Sequence, residues 1–211
     1  MAMTESRAAA TAGVPIEVRV HAAWVASDRR TRVAHLTAVV LSLLLPAVWW
    51  GARSFVRAVV DVTPVVVVGS GVAGAILATA ALVDLHERRL PSVLLTWAMG
   101  SAAVGVGCHA SIAADPELLL LMVVGAVVCG GVLLGVYLTR GIGMGDVKMA
   151  AVVGAATAPL ALVAAPLALA VGAGVAGVWG RVTHRHVIAL GPFLWIGWFV
   201  ASCAAAVGLL R

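Results

Sequence analysis

Charged residues divide this chain into long uncharged runs. Four of them, 33–50, 64–83, 92–113 and 118–138, are apolar and between 18 and 22 residues long, the length at which a helix at 1.5 Å per residue crosses a hydrocarbon core of about 30 Å. Between Lys148 and Arg181 the chain carries no charge for 32 residues. That is too long for one span and too short for two full ones, which need roughly 40 residues. The pattern therefore predicts a short helix from 147 to about 158, a turn around Pro159 and a full span over 160–180. A last span is expected over about 187–209, opening at Gly191-Pro192. No internal repeat is visible. The fold class is all-α, a polytopic transmembrane bundle of about seven spans (six to eight). Residues 1–32, polar and without an apolar run, read as a disordered tail with no part in the chemistry; 33–63 form the first span and an external loop, and 64–211 the membrane core.

Composition agrees with that division. The chain is 63% apolar and 11% charged, with a mean hydropathy of +1.10, which excludes a soluble enzyme, a nucleic-acid-binding module or a secreted disulfide scaffold. The net charge of +5 is then a matter of orientation. With a cytoplasmic amino terminus, 11 of the 14 basic residues fall on the inner side and only Arg53, Arg57 and Arg211 outside, as the positive-inside rule requires. The expected location is the inner (cytoplasmic) membrane, with the lipid bilayer as a partner. Cys108, Cys129 and Cys203 stand singly in apolar runs and supply no C-x-x-C zinc pair. Gly69, Gly71, Gly74, Gly125, Gly130, Gly131 and Gly135 have the spacing of close helix packing in lipid.

Candidate chemistry rests on two acids. Asp84 follows the 64–83 run in Val83-Asp84-Leu85-His86-Glu87-Arg88-Arg89-Leu90-Pro91, and Asp146 closes Gly141-Ile142-Gly143-Met144-Gly145-Asp146. In the topology above both sit at the cytoplasmic membrane edge, where an ionisable side chain is costly and aspartate is too short to snorkel well. Two carboxyls at one site resist ionising together and so share a proton. The ionised one can activate water while the protonated one polarises a carbonyl and feeds the leaving amine. The glycines before Asp146 leave room for an extended substrate backbone.

Three stretches in order carry a family resemblance: Asp84 with Leu90-Pro91 six residues on, Gly143-Met144-Gly145-Asp146-Val147-Lys148, and Ala189-Leu190-Gly191-Pro192-Phe193-Leu194. Together, over roughly residues 64–210, they resemble the type IV prepilin peptidases. The chain departs from that family's pattern at Leu90-Pro91-Ser92, where Ile-Pro-Asn is common, and at Ala189-Leu190, where Pro-Phe is usual. The resemblance implies an aspartic endopeptidase in which Asp84 and Asp146 are catalytic and Gly143, Gly145, Lys148, Pro91, Gly191 and Pro192 line the substrate site. It implies cleavage of the basic leader of a prepilin or pseudopilin after a glycine, with that precursor and the pilus assembly machinery as partners. The cytosolic loop with paired Cys-x-x-Cys motifs that marks the methylating members has no counterpart here. A peptidase-only form is thus implied, with no S-adenosylmethionine, no metal and no other cofactor.

Rival readings remain at this stage. Asp84, His86 and Glu87 could hold a metal, but loop residues in solvent explain the latter two more simply. Lys148 could hold a substrate acid or merely anchor the membrane edge. A presenilin-like protease lacks its Tyr-Asp and Pro-Ala-Leu segments here. A small transporter would place its acids near the midplane, and an inactive scaffold of the peptidase fold would keep both aspartates unused.

Overall fold

A computed structural model describes residues 14–55, 64–114, 116–139, 142–184, 188–207 and 209–210. The expectations placed on residues 1–13, Gly141 and the 56–63 loop lie outside them. The described residues form eight helices and no strand: α1 (Ile16–Ala26), α2 (Arg29–Phe55), α3 (Pro64–Glu87), α4 (Ser92–Ala113), α5 (Glu117–Leu138), α6 (Met144–Thr157), α7 (Ala164–Thr183) and α8 (Gly191–Ala206). Four of these, α3, α4, α5 and α7, are long and apolar enough to cross a membrane, and α8 is a shorter apolar helix. The chain is a helical membrane bundle.

Two helices lie at its centre. α3 packs against α1, α2, α4, α6 and α8, and α6 against α3, α4, α5, α7 and α8. Burial follows: 67% of the apolar window of α3 is buried against 22% for α5, whose Leu120, Val123, Val127 and Val132 face outward. Small residues permit this density. Gly125 of α5 and Gly154 of α6 meet backbone to backbone, so that a Cβ on either would strike the other's carbonyl. Gly74 of α3 lies under the indole of Trp198 from α8, and Gly69 lies against the Ser101 carbonyl and Gly105 of α4. Lipid offers no hydrophobic gain for helix association, so such close contact supplies it through dispersion. Gly131 and Gly135 differ from the packing expectation, since a Cβ on either would meet nothing within 4 Å.

The 32-residue uncharged run divides where its length required. α6 ends at Thr157, a turn holds Ala158 to Val163, and α7 starts at Ala164. With 14 residues, α6 is about 21 Å long, short of a bilayer's hydrocarbon thickness. Its far end stays inside the protein, with Thr157, Ala158 and Leu160 at most 2% exposed. Lipid could not satisfy the free carbonyls there, whereas the surrounding helices and turn can: Thr157 donates to the Val153 carbonyl at 2.8 Å and its own carbonyl accepts from Leu160 at 2.9 Å.

The amino-terminal segment departs from expectation. The disordered tail foreseen for residues 1–32 does not describe residues 16–26, which form α1, or 29–32, which open α2. Ile16, Val20, Ala23 and Trp24 repeat at helical spacing and pack inward against the core and α3. Asp28 then starts the next helix, its Oδ1 accepting the Thr31 N–H at 2.8 Å, as residues at helix starts commonly do.

Candidate active site

Asp84 occupies the last turn of α3 and Asp146 the first turn of α6. Because these are the two central helices, pointing opposite ways in the chain, the carboxyls arrive at the same end of the bundle. Asp84 is 5% exposed and Asp146 half-buried. They are close enough to interact electrostatically, and no hydrogen bond among the described residues joins them.

Each carboxylate is held by a peptide N–H from a glycine. Gly191, the first residue of α8, donates to Asp84 Oδ2 at 3.0 Å. Gly143, immediately before α6, donates to Asp146 Oδ2 at 3.1 Å, while the Asp146 N–H returns to the Gly143 carbonyl at 3.1 Å. The second arrangement is a carboxylate in a helix's first turn reaching back to the residue before it, favoured by the partial positive charge of the helix N-terminus. In both acids Oδ1 takes no hydrogen bond from the described residues. One oxygen is anchored and the other is available.

The remaining motif residues assemble around this pair through Leu90. A Cβ on Gly145 would lie 3.0 Å from the Leu90 Cβ, and one on Gly191 would lie 3.3 Å from a Leu90 methyl and 2.8 Å from Asp84 Oδ2. The leucine thus separates the α6 and α8 starts beside Asp84. Its position follows from Arg88, which ends α3 with φ 53°, and from buried Pro91, whose carbonyl accepts the N–H groups of Leu94 and Leu95 as α4 begins. Pro192 sits in the first turn of α8, where it lacks only an N–H that the helix would not use. With Ala34, His35 and Ala38 of α2, Ala81 and Leu85 of α3 and Trp195 of α8, it borders an apolar groove of about 260 Å³. Lys148 lies apart from these contacts, exposed and without an ion pair among the described residues.

His86 and Glu87 are engaged elsewhere. The His86 ring contacts Ser27 Oγ through Nε2 at 3.2 Å and the Leu82 carbonyl through Nδ1 at 2.9 Å, and Glu87 pairs with Arg19. Among the described residues no three His, Cys, Asp or Glu side chains converge as a metal site would need. Sequence reasoning named Leu90 only as part of the Leu90-Pro91 motif, without its place between the two glycines, and did not name Arg19 as a site residue. Leu90 is apolar among polar loop residues, which was its one signal; Arg19 lies 68 residues from its partner.

Residues 71–210 match the type IV leader peptidase family. The chain belongs to this family. No curated protein and no solved structure matches it significantly. The matched span starts inside α3 and runs through α8, so it takes in Asp84, Asp146, Leu90 and all three glycines around them. α1 and α2 lie outside the matched span, although α1 touches the helix that carries Asp84.

Proposed function

We propose that the chain is an aspartic endopeptidase that cleaves the basic leader of a type IV prepilin-like precursor, after a glycine, at the cytoplasmic face of the inner membrane. The observation that carries this reading is the convergence of two carboxyls from separate central helices, each with one oxygen fixed by a backbone N–H and the other without a hydrogen bond among the described residues, in a chain of the leader peptidase family. Fixed donors hold both acids in place before substrate arrives, so little reorganisation accompanies reaction.

The chemistry needs one proton on the pair, because two negative charges in a half-buried site repel. The ionised carboxylate draws a proton from water as the water oxygen bonds to the scissile carbonyl carbon. The protonated partner hydrogen-bonds the carbonyl oxygen. When the tetrahedral adduct collapses, the C–N bond breaks and the amine leaves with a proton from the pair, which returns to its single-proton state. Which aspartate starts protonated is a property of the coupled pair. Gly143, Gly145, Pro91, Gly191 and Pro192 shape the space beside it, and the exposed Lys148, two residues after Asp146, is the cation to meet an acidic substrate group. No metal, S-adenosylmethionine or other cofactor enters these steps, and methylation of the new amino terminus is not part of this activity.

Mass spectrometry of products tests the reading: purified protein with a precursor bearing a basic leader should release the leader with its carboxyl-terminal glycine. Activity that is lost in EDTA and regained with a divalent ion would instead assign a metallopeptidase. The membrane face is tested separately. With native cysteines changed to Ala, single cysteines at Ser92, Thr139, Thr183 and Ala114 should react with a membrane-impermeant maleimide in intact cells only at 114. Labelling at 139 but not at 92 would put the two aspartate loops on opposite faces, about 30 Å of hydrocarbon apart, and end the two-aspartate mechanism.

A further inference from the structure

α1 grips the end of α3 that holds Asp84, and it does so at three consecutive levels. Ala23 packs against Leu82 and Val83 in a small separate cluster. Ser27, 3% exposed, donates to the Ala23 carbonyl at 2.6 Å and meets His86 Nε2 at 3.2 Å. Arg19 forms a fork on Glu87, its Nε 3.1 Å from Oε2 and its terminal nitrogen on the same oxygen. The two side chains of this pair are only 18% and 21% exposed, so salt screens them less than a surface pair.

The contacts all fall on one side of the helix. At 3.6 residues per turn, Leu82, Val83, His86 and Glu87 share a face whose centre is about 130° from Asp84. α1 therefore backs α3 on the side turned away from Asp84, and Asp84 points toward Gly191. The location matters because α3 stops immediately afterwards: Arg88 takes a left-handed conformation and its N–H closes on the Asp84 carbonyl at 2.8 Å. Last turns of helices lack intrahelical partners for their carbonyls and fray first. An acid placed there needs outside support to stay in register with a donor 107 residues away.

We infer that α1 is a positioning element for Asp84, acting through Arg19 on Glu87 and Ser27 on His86. This rests on the peptidase reading and reverses the expectation that residues before the first span play no part in the chemistry. It also lies beyond what family membership covers, since α1 precedes the matched span.

The test uses the full chain in detergent or nanodiscs with Arg19→Ala/Ser27→Ala. Hydrogen–deuterium exchange at amides 84–89 should rise by roughly tenfold, and kcat on a leader-bearing precursor should fall by roughly tenfold with KM changed less than twofold. Arg19→Glu combined with Glu87→Arg, with Ser27 kept, should show near wild-type exchange and kcat, and in the Arg19→Ala/Ser27→Ala variant exchange elsewhere in the bundle should stay at the wild-type rate, which a loss of general stability would not allow. Unchanged exchange, or faster exchange with unaltered kcat, would overturn the role of α1 while leaving the peptidase intact. A wild-type chain that cuts no precursor would overturn the peptidase reading itself, and the exchange data would still report the brace.

Discussion

Asp84→Asn and Asp146→Asn should each reduce cleavage of a leader-bearing precursor by about 10³-fold or more while leaving the protein folded in the membrane. General acid and base catalysis each contribute about 10²–10⁴-fold, and groups that act as one unit lose nearly everything when either is removed. The amide is the informative replacement here. Its carbonyl oxygen can still accept the Gly191 or Gly143 N–H that holds each carboxylate, so the start of α6 keeps its cap and α8 keeps its tie to α3. Proton transfer alone is lost. Single-turnover assays with equal amounts of each purified variant are the measurement, and substantial turnover by either would show that its acid is structural. Asp115→Asn, in the sequence between the 92–113 and 118–138 runs and distant from both motifs, should cleave like the wild type.

Gly191→Ala should cost about 10²-fold in kcat with near-normal expression. A methyl there would stand 2.8 Å from Asp84 Oδ2 and 3.3 Å from both the Asp84 Cβ and a Leu90 methyl. The first distance is closer than carbon and oxygen tolerate, and α8 is packed against α3, so the carboxyl has to turn. A misplacement near 1 Å is sufficient for a loss of that order. Gly143→Ala makes the comparison, because its Cβ would sit 3.5 Å from Asp146 Oδ2, an ordinary contact, and activity should change only a few-fold. Equal losses in the two variants would mean that added bulk at these glycines acts through something other than the Asp84 carboxyl.

Most of the bundle was legible because lipid imposes a length on apolar runs. Four uncharged stretches became α3, α4, α5 and most of α2, and the excess of residues between Lys148 and Arg181 led to the α6–turn–α7 division around Pro159. α1 was not legible. Its apolar positions Ile16, Val20, Ala23 and Trp24 do follow a helical period, but eleven residues preceded by Pro15, with no side-chain cap, are too few to hold a helix without a partner. The partner lies far along the chain, in residues 82–87. At the site, the aspartates and glycines stood out as polar or flexible exceptions in apolar surroundings. What the glycines do there was hidden, because the functional group is a peptide N–H, which every residue but proline carries. Family membership follows from the motifs; the three-dimensional reason for Leu90 comes only from the closeness of two helix starts that the sequence separates by 46 residues.

Anchoring by the main chain also decides which mutations this pair can survive. At Gly143 and Gly191 no change of side chain short of proline can delete the donor, since the donor belongs to the backbone. Vulnerability lies in what is added: bulk at 191, or a proline ring at either position, which removes the proton itself. Position 143 allows the cleaner version, for its φ of −86° with ψ 155° lies near the range proline adopts. The genetic signature of such a site is a pair of positions that proline alone disarms in common, with added bulk harmful at 191 and tolerated at 143, whereas the two aspartates themselves would fail on any loss of the carboxyl.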